Sequence, residues 1–63
     1  MTHPTLLLVD DDSTLRHLLS RELEARGFRV LPAAGVVTAR EIIDATDLDL
    51  ALVDLRLQDG TGL

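Results

Sequence analysis

Sixty-three residues suffice for at most one small domain, and the apolar 46% is almost wholly aliphatic, Phe28 being the sole aromatic residue. A net charge of −5 argues against a nucleic-acid backbone or an anionic membrane surface as partner, while leaving divalent cations open. Without cysteine there is no disulfide framework and no thiolate zinc site, and a mean hydropathy of +0.20 is too high for a disordered chain.

The unbroken apolar run Leu6-Leu7-Leu8-Val9 predicts a first strand over 5–10, buried on both faces and ending at Asp10-Asp11-Asp12. Asp11 to Ser13 can cap a following helix, with Asp12 the expected cap. Leu15, Leu18, Leu19 and Leu23 recur at helical spacing as its core stripe, and Arg16, Arg21, Glu22 and Arg26 fall mostly off it. Gly27, free to take positive φ, ends the helix, and Phe28 is expected to fold back onto Leu23. Residues 28–33 form a short second strand, placed at a sheet edge because Pro32 lacks an N–H donor.

A second helix is predicted over 36–46, with Val36, Ala39, Ile42 and Ile43 apolar and Val37 at the margin of that face. Leu50-Ala51-Leu52-Val53 then predicts a third strand over 50–54, ending at Asp54, before a turn-rich loop from Arg56 to Gly62. Strands alternating with helices imply right-handed crossovers and a parallel sheet. Met1-Thr2-His3-Pro4 lacks the basic start and apolar core of a signal peptide, and no apolar stretch has the length of a membrane span, so a cytoplasmic protein is expected.

Two apolar runs that each stop at a carboxylate are the main functional signal. In an open parallel α/β sheet, ligands bind beyond the carboxyl ends of the strands. Asp10, Asp11 and Asp54 are therefore expected to converge on one crevice, hold a hard cation and supply one reacting group. A plainer reading makes Asp10-Asp11-Asp12 a helix cap, but capping uses one or two such residues, and the second acidic site would remain unexplained. Asp59-Gly60 reads as a turn, and Thr14 and Thr61 as surface or turn hydroxyls. His3 is expected in a frayed terminus and His17 on an exposed helix face, neither beside ligand-like neighbours.

The segment Leu-Leu-Leu-Val-Asp-Asp-Asp-Ser-Thr-Leu-Arg at 6–16 resembles the start of a response-regulator receiver domain. Leu-Val-Asp-Leu-Arg-Leu-Gln-Asp-Gly-Thr-Gly-Leu at 52–63 resembles that family's phosphoacceptor strand and loop. The resemblance implies a flavodoxin-like α/β fold of order 2-1-3-4-5, of which residues 1–63 would be the truncated N-terminal portion: half of a doubly wound parallel sheet, β-α-β-α-β, in order 2-1-3. It implies that Asp54 is the phosphoacceptor, and that Mg²⁺ is held by Asp10, Asp11, Asp54 and the backbone carbonyl of Arg56. The donor would be a phosphohistidine on a sensor histidine kinase or a phosphotransfer protein, and the chain a signalling module of a two-component system rather than an enzyme. Elementary chemistry agrees: a carboxylate can attack phosphorus to give an acyl phosphate, and Mg²⁺ accepts one or two carboxylates, a carbonyl and waters. The overall look of 6–63 is similar to regulators of redox or photosynthetic genes.

Receiver domains usually carry proline where this chain has Gln58, which bears on the loop after Asp54. The family's Ser/Thr after the fourth strand and Lys after the fifth have no counterpart here, and all six basic residues are Arg. In a sheet of order 2-1-3 the third strand is an apolar edge, and such an edge recruits another strand. Leu50, Leu52 and Val53 are thus expected to meet a second copy in a two-fold homodimer, formed through that strand or the open helix faces. Two other functions stay open. One is a non-catalytic half-receiver that acts only through its open surface. The other is a fragment of a haloacid-dehalogenase-type phosphatase, whose short D-x-D-x-T pattern would make Asp10 the nucleophile and Asp12 the acid/base.

Overall fold

A computed structural model describes residues 3–54. The elements run β1 (Thr5–Asp10), α1 (Ser13–Ala25), β2 (Arg29–Ala33), α2 (Val36–Ala45) and β3 (Leu50–Asp54). The three strands form one parallel sheet in the order β2-β1-β3. The alternation of strands and helices and the parallel sheet are those the apolar runs predict, and the order 2-1-3 is the one the family resemblance implies.

The core is β1, whose side chains alternate between two helix-covered faces. Leu7 and Val9 pack with Ala33 and Ala39, flanked by Ile42 and Leu48. Leu6 and Leu8 pack with Val30 on the other face, flanked by Leu19, Leu23 and Phe28. Both faces are dry, which is why this strand reads as an unbroken apolar run rather than an alternating one. Burying a leucine such as Leu7 or Leu8 completely stabilises by about 1.5–3 kcal/mol. Pro32 lies opposite Leu8 on β2, an edge strand, as its missing donor requires.

α1 is closed at both ends by local chemistry. The Leu15 N–H donates to Asp12 Oδ1 at 3.1 Å, and the Arg16 N–H donates to the Asp12 carbonyl at 2.8 Å, so Asp12 is the N-cap. At the other end Gly27 takes φ +97°, the Gly27 N–H donates to the Glu24 carbonyl and the Phe28 N–H to the Leu23 carbonyl. This is the Schellman arrangement, with Phe28 and Leu23 meeting the same core cluster. Phe28 is therefore part of the cap, and β2 begins one residue later than its apolar run suggests.

Three sequence expectations are corrected. Leu18 is 56% exposed rather than part of the core stripe. It sits one residue, or about 100° of helix, from Leu19, while Leu15, Leu19 and Leu23 keep the four-residue spacing of one face. On α2, Ala39 is buried and Ile42 half-buried, but Val36, Val37 and Ile43 are exposed, so that helix presents a narrow seam. His3 is not loose at the terminus: its Nδ1 lies 3.0 Å from the Gly27 carbonyl, a hydrogen bond joining the chain start to the end of α1. His17 is exposed, as its helix face predicts.

β3 pairs with β1 alone among the described residues, and all five of its residues are exposed. Its start is fastened by a reciprocal pair: the Thr5 N–H donates to Asp49 Oδ2 at 2.7 Å, and the Asp49 N–H donates to the Thr5 carbonyl at 2.9 Å. That anchor sets the alignment of β1 and β3 carried through to their far ends. Among the described residues no helix is long and apolar enough to cross a membrane.

Candidate functional site: aspartates at the carboxyl edge of the sheet

The parallel register pairs Leu6 with Leu50 and, four residues on, Asp10 with Asp54. Adjacent strands lie about 4.8 Å apart, and paired positions of a parallel ladder point to the same face. Asp10 and Asp54 therefore leave neighbouring strand tips side by side, on the face shared by Leu6 and Leu8. Asp11 follows in the half-buried bend between β1 and α1. The strand ends thus place the three aspartates of the sequence argument at one edge, with two of them in direct register.

The two facing aspartates are in different states. Asp10 is fully buried. Its Oδ1 accepts the Asp12 N–H at 2.9 Å, and its main-chain carbonyl accepts Arg16 Nη1 at 2.7 Å. Its Oδ2 is equally buried and takes no hydrogen bond from the described residues. A buried carboxylate oxygen without a partner is costly, and a bound cation or an ordered water is the usual resolution. Asp54, by contrast, is exposed at the end of an edge strand. A buried carboxylate suits a fixed ligand, and an exposed one suits attack on an incoming group.

The donor set fits Mg²⁺, which prefers hard oxygen ligands and needs only one or two carboxylates beside its waters. Among the described residues, no three or more histidine, aspartate or glutamate side chains already form a metal-ligand group. Arg56, whose carbonyl the family resemblance assigns to the ion, lies outside the described residues, as do Gln58, Asp59 and Thr61.

Arg16 is the residue that sequence reasoning missed. It falls off the leucine stripe and reads as a solvent-facing charge, yet it is half-buried with its guanidinium on the end of β1. The available signal was its position in the second turn of a helix whose N-terminus abuts the acidic cluster, within reach of a long side chain turned back toward the helix start.

Residues 6–63 match the family described as the response regulator receiver domain. The chain is 47% identical over 60 residues to the photosynthetic apparatus regulatory protein RegA of Rhodovulum sulfidophilum, covering 95% of this chain and 33% of that protein. It is 42% identical over 59 residues to the acid tolerance regulatory protein ActR of Rhizobium meliloti, covering 94% of this chain and 30% of that protein. It is 38% identical over 63 residues to the response regulator protein PilR of Pseudomonas aeruginosa, covering all of this chain and 14% of that protein. The chain spans about a third of the length of the first of these relatives. No solved structure matches the chain significantly.

Proposed function

The chain belongs to the response regulator receiver domain family, and on that premise we propose that Asp54 accepts a phosphoryl group from a phosphohistidine of a sensor histidine kinase or phosphotransfer protein. The observation that carries this reading is the register of Asp10 with Asp54, one carboxylate buried and the other open. Asp10, Asp11, Asp54 and the Arg56 carbonyl would hold Mg²⁺. When bound, that ion offsets the repulsion between an anionic nucleophile and an anionic phosphoryl group.

Asp54 supplies the nucleophile. A carboxylate oxygen attacks phosphorus in line; the new P–O bond forms as the P–N bond to the donor imidazole breaks, and the electron pair stays on that nitrogen, which is protonated from solvent. Asp10 cannot take this role while fully buried. Asp12, the acid/base of the phosphatase alternative, is engaged as the α1 cap. Neither observation favours that alternative. The module works as a phosphoacceptor in the cytoplasm, one phosphoryl group per chain, rather than as an enzyme with turnover of its own.

The test is labelling by a small phosphodonor such as acetyl phosphate, with and without Mg²⁺. Mg²⁺-dependent modification mapped to Asp54, and lost in Asp54→Asn, is expected. Equal labelling of Asp54→Asn, or modification of Asp10 instead, would overturn the assignment.

The partner surface of this chain is its open side. Beside β3 lies a groove of about 480 Å³ whose floor is Leu7, Val9, Ala51 and Val53 and whose wall is α2. Arg40 and Asp44 both line it. A second copy related by a two-fold axis could pair the β3 edges or cover the apolar floor. The 63-residue chain is therefore expected to sediment as a homodimer at micromolar concentration. A folded monomer under those conditions would exclude this association, and a dimer that never accepts phosphate would favour the purely non-catalytic half-receiver.

A further inference from the structure

We infer that Arg16 is a positioning residue for the acidic strand tips: its guanidinium holds the end of β1 so that Asp10 presents Oδ2 as the one atom left uncommitted by the described residues. The inference rests on the phosphoacceptor reading for its purpose, but its geometry stands independently.

Asp10 has three acceptor oxygens, and the chain accounts for two of them. The Asp12 N–H holds Oδ1 at 2.9 Å, and Arg16 Nη1 holds the main-chain carbonyl at 2.7 Å. Only the buried Oδ2 is without a hydrogen bond from the described residues. The two contacts also reinforce each other. Asp12 caps α1 through Leu15, and Arg16 is the next residue of that helix, its own N–H on the Asp12 carbonyl. Arg16 thereby ties the first turns of α1 to the last residue of β1, across the bend that carries Asp11.

The chemistry favours arginine here. A strand's last carbonyl lies where the ladder runs out, so it needs a donor from elsewhere. A guanidinium donates through a charge-assisted bond and loses little freedom on binding because its fork is rigid. It also brings positive charge to a bend with three consecutive aspartates, in a chain whose net charge is −5. Residues that orient a metal ligand without touching the metal commonly change metal affinity by about 10- to 100-fold when lost.

The test uses the 63-residue chain with Arg16→Ala and Arg16→Lys, reading Mg²⁺ affinity by titration and amide exchange at Asp12. Arg16→Ala is expected to weaken Mg²⁺ binding of the folded chain by about 10- to 100-fold. It should also speed exchange of the Asp12 N–H, because Asp10 Oδ1 is no longer held. Arg16→Lys, which keeps one charged donor, should recover most of both. Unchanged Mg²⁺ affinity and unchanged Asp12 exchange in Arg16→Ala would overturn the inference, as would a lysine variant no better than the alanine one. If the wild-type chain binds no Mg²⁺ but Asp12 exchange still responds to Arg16→Ala and recovers in Arg16→Lys, the positioning role stands and the metal reading fails.

Discussion

β1 and β3 carry nearly the same message, four apolar residues followed by aspartate, yet the fold uses them in opposite ways. β1 is flanked by a strand on each side and covered by a helix on each face, so its leucines and Asp10 are buried. β3 has one neighbour among the described residues, and Leu50, Leu52, Val53 and Asp54 stay open. Local sequence therefore makes both segments strands ending in a carboxylate, while position in the sheet makes one aspartate a fixed, dry group and the other an accessible one. The proposed division of roles rests on that asymmetry: a group as deeply buried as Asp10 is closed to an incoming phosphoryl donor, and Asp54 is open to one.

The contrast is broken most severely by truncating matched leucines. Leu8→Ala should destabilise the chain by about 2–5 kcal/mol, because it empties a site packed on all sides. Leu52→Ala, at the paired position on β3, should cost less than about 1 kcal/mol. Urea unfolding of the two variants measures the difference, and equal losses would mean that β3 is covered in solution. If self-association covers it, the Leu52→Ala loss should grow with protein concentration.

A somewhat smaller effect separates the two aspartates. Saturating Mg²⁺ at about 100 times its dissociation constant should stabilise the wild-type chain by about 2.7 kcal/mol. Asp10→Asn, which removes the charge of the carboxylate proposed to hold the ion, should lose most of that stabilisation, as thermal unfolding with and without Mg²⁺ would show. Retention of the full Mg²⁺ effect would place the ion away from Asp10. The smallest effect sharpens the frame that holds β1 and α1 together. Gly27→Ala should cost about 1–2 kcal/mol, through its left-handed φ of +97° alone, since a Cβ there would meet nothing within 4 Å.

Much of this frame can be read from residue order. The apolar runs, the Asp12 cap, the Gly27 stop, the fold-back of Phe28 and the edge position of Pro32 all follow from local sterics, donor and acceptor counts and periodicity. The side of α1 that Leu18 takes is harder to read, because four leucines in nine positions fit more than one stripe and only the partner surface selects between them. Arg16 eluded the reading for a related reason: a long side chain has many rotamers, and nothing local shows which carbonyl it will find.

The chain order thus dictated that carboxylates stand at two strand tips, since backbone preference and the alternation of apolar runs act over a few residues. The facing of Asp10 and Asp54, the burial of one and the openness of the other, and the guanidinium on the β1 carbonyl came from assembly of the sheet and its helices. Register and burial depend on contacts between segments some forty positions apart, such as the Thr5–Asp49 anchor, and no local preference reaches that far.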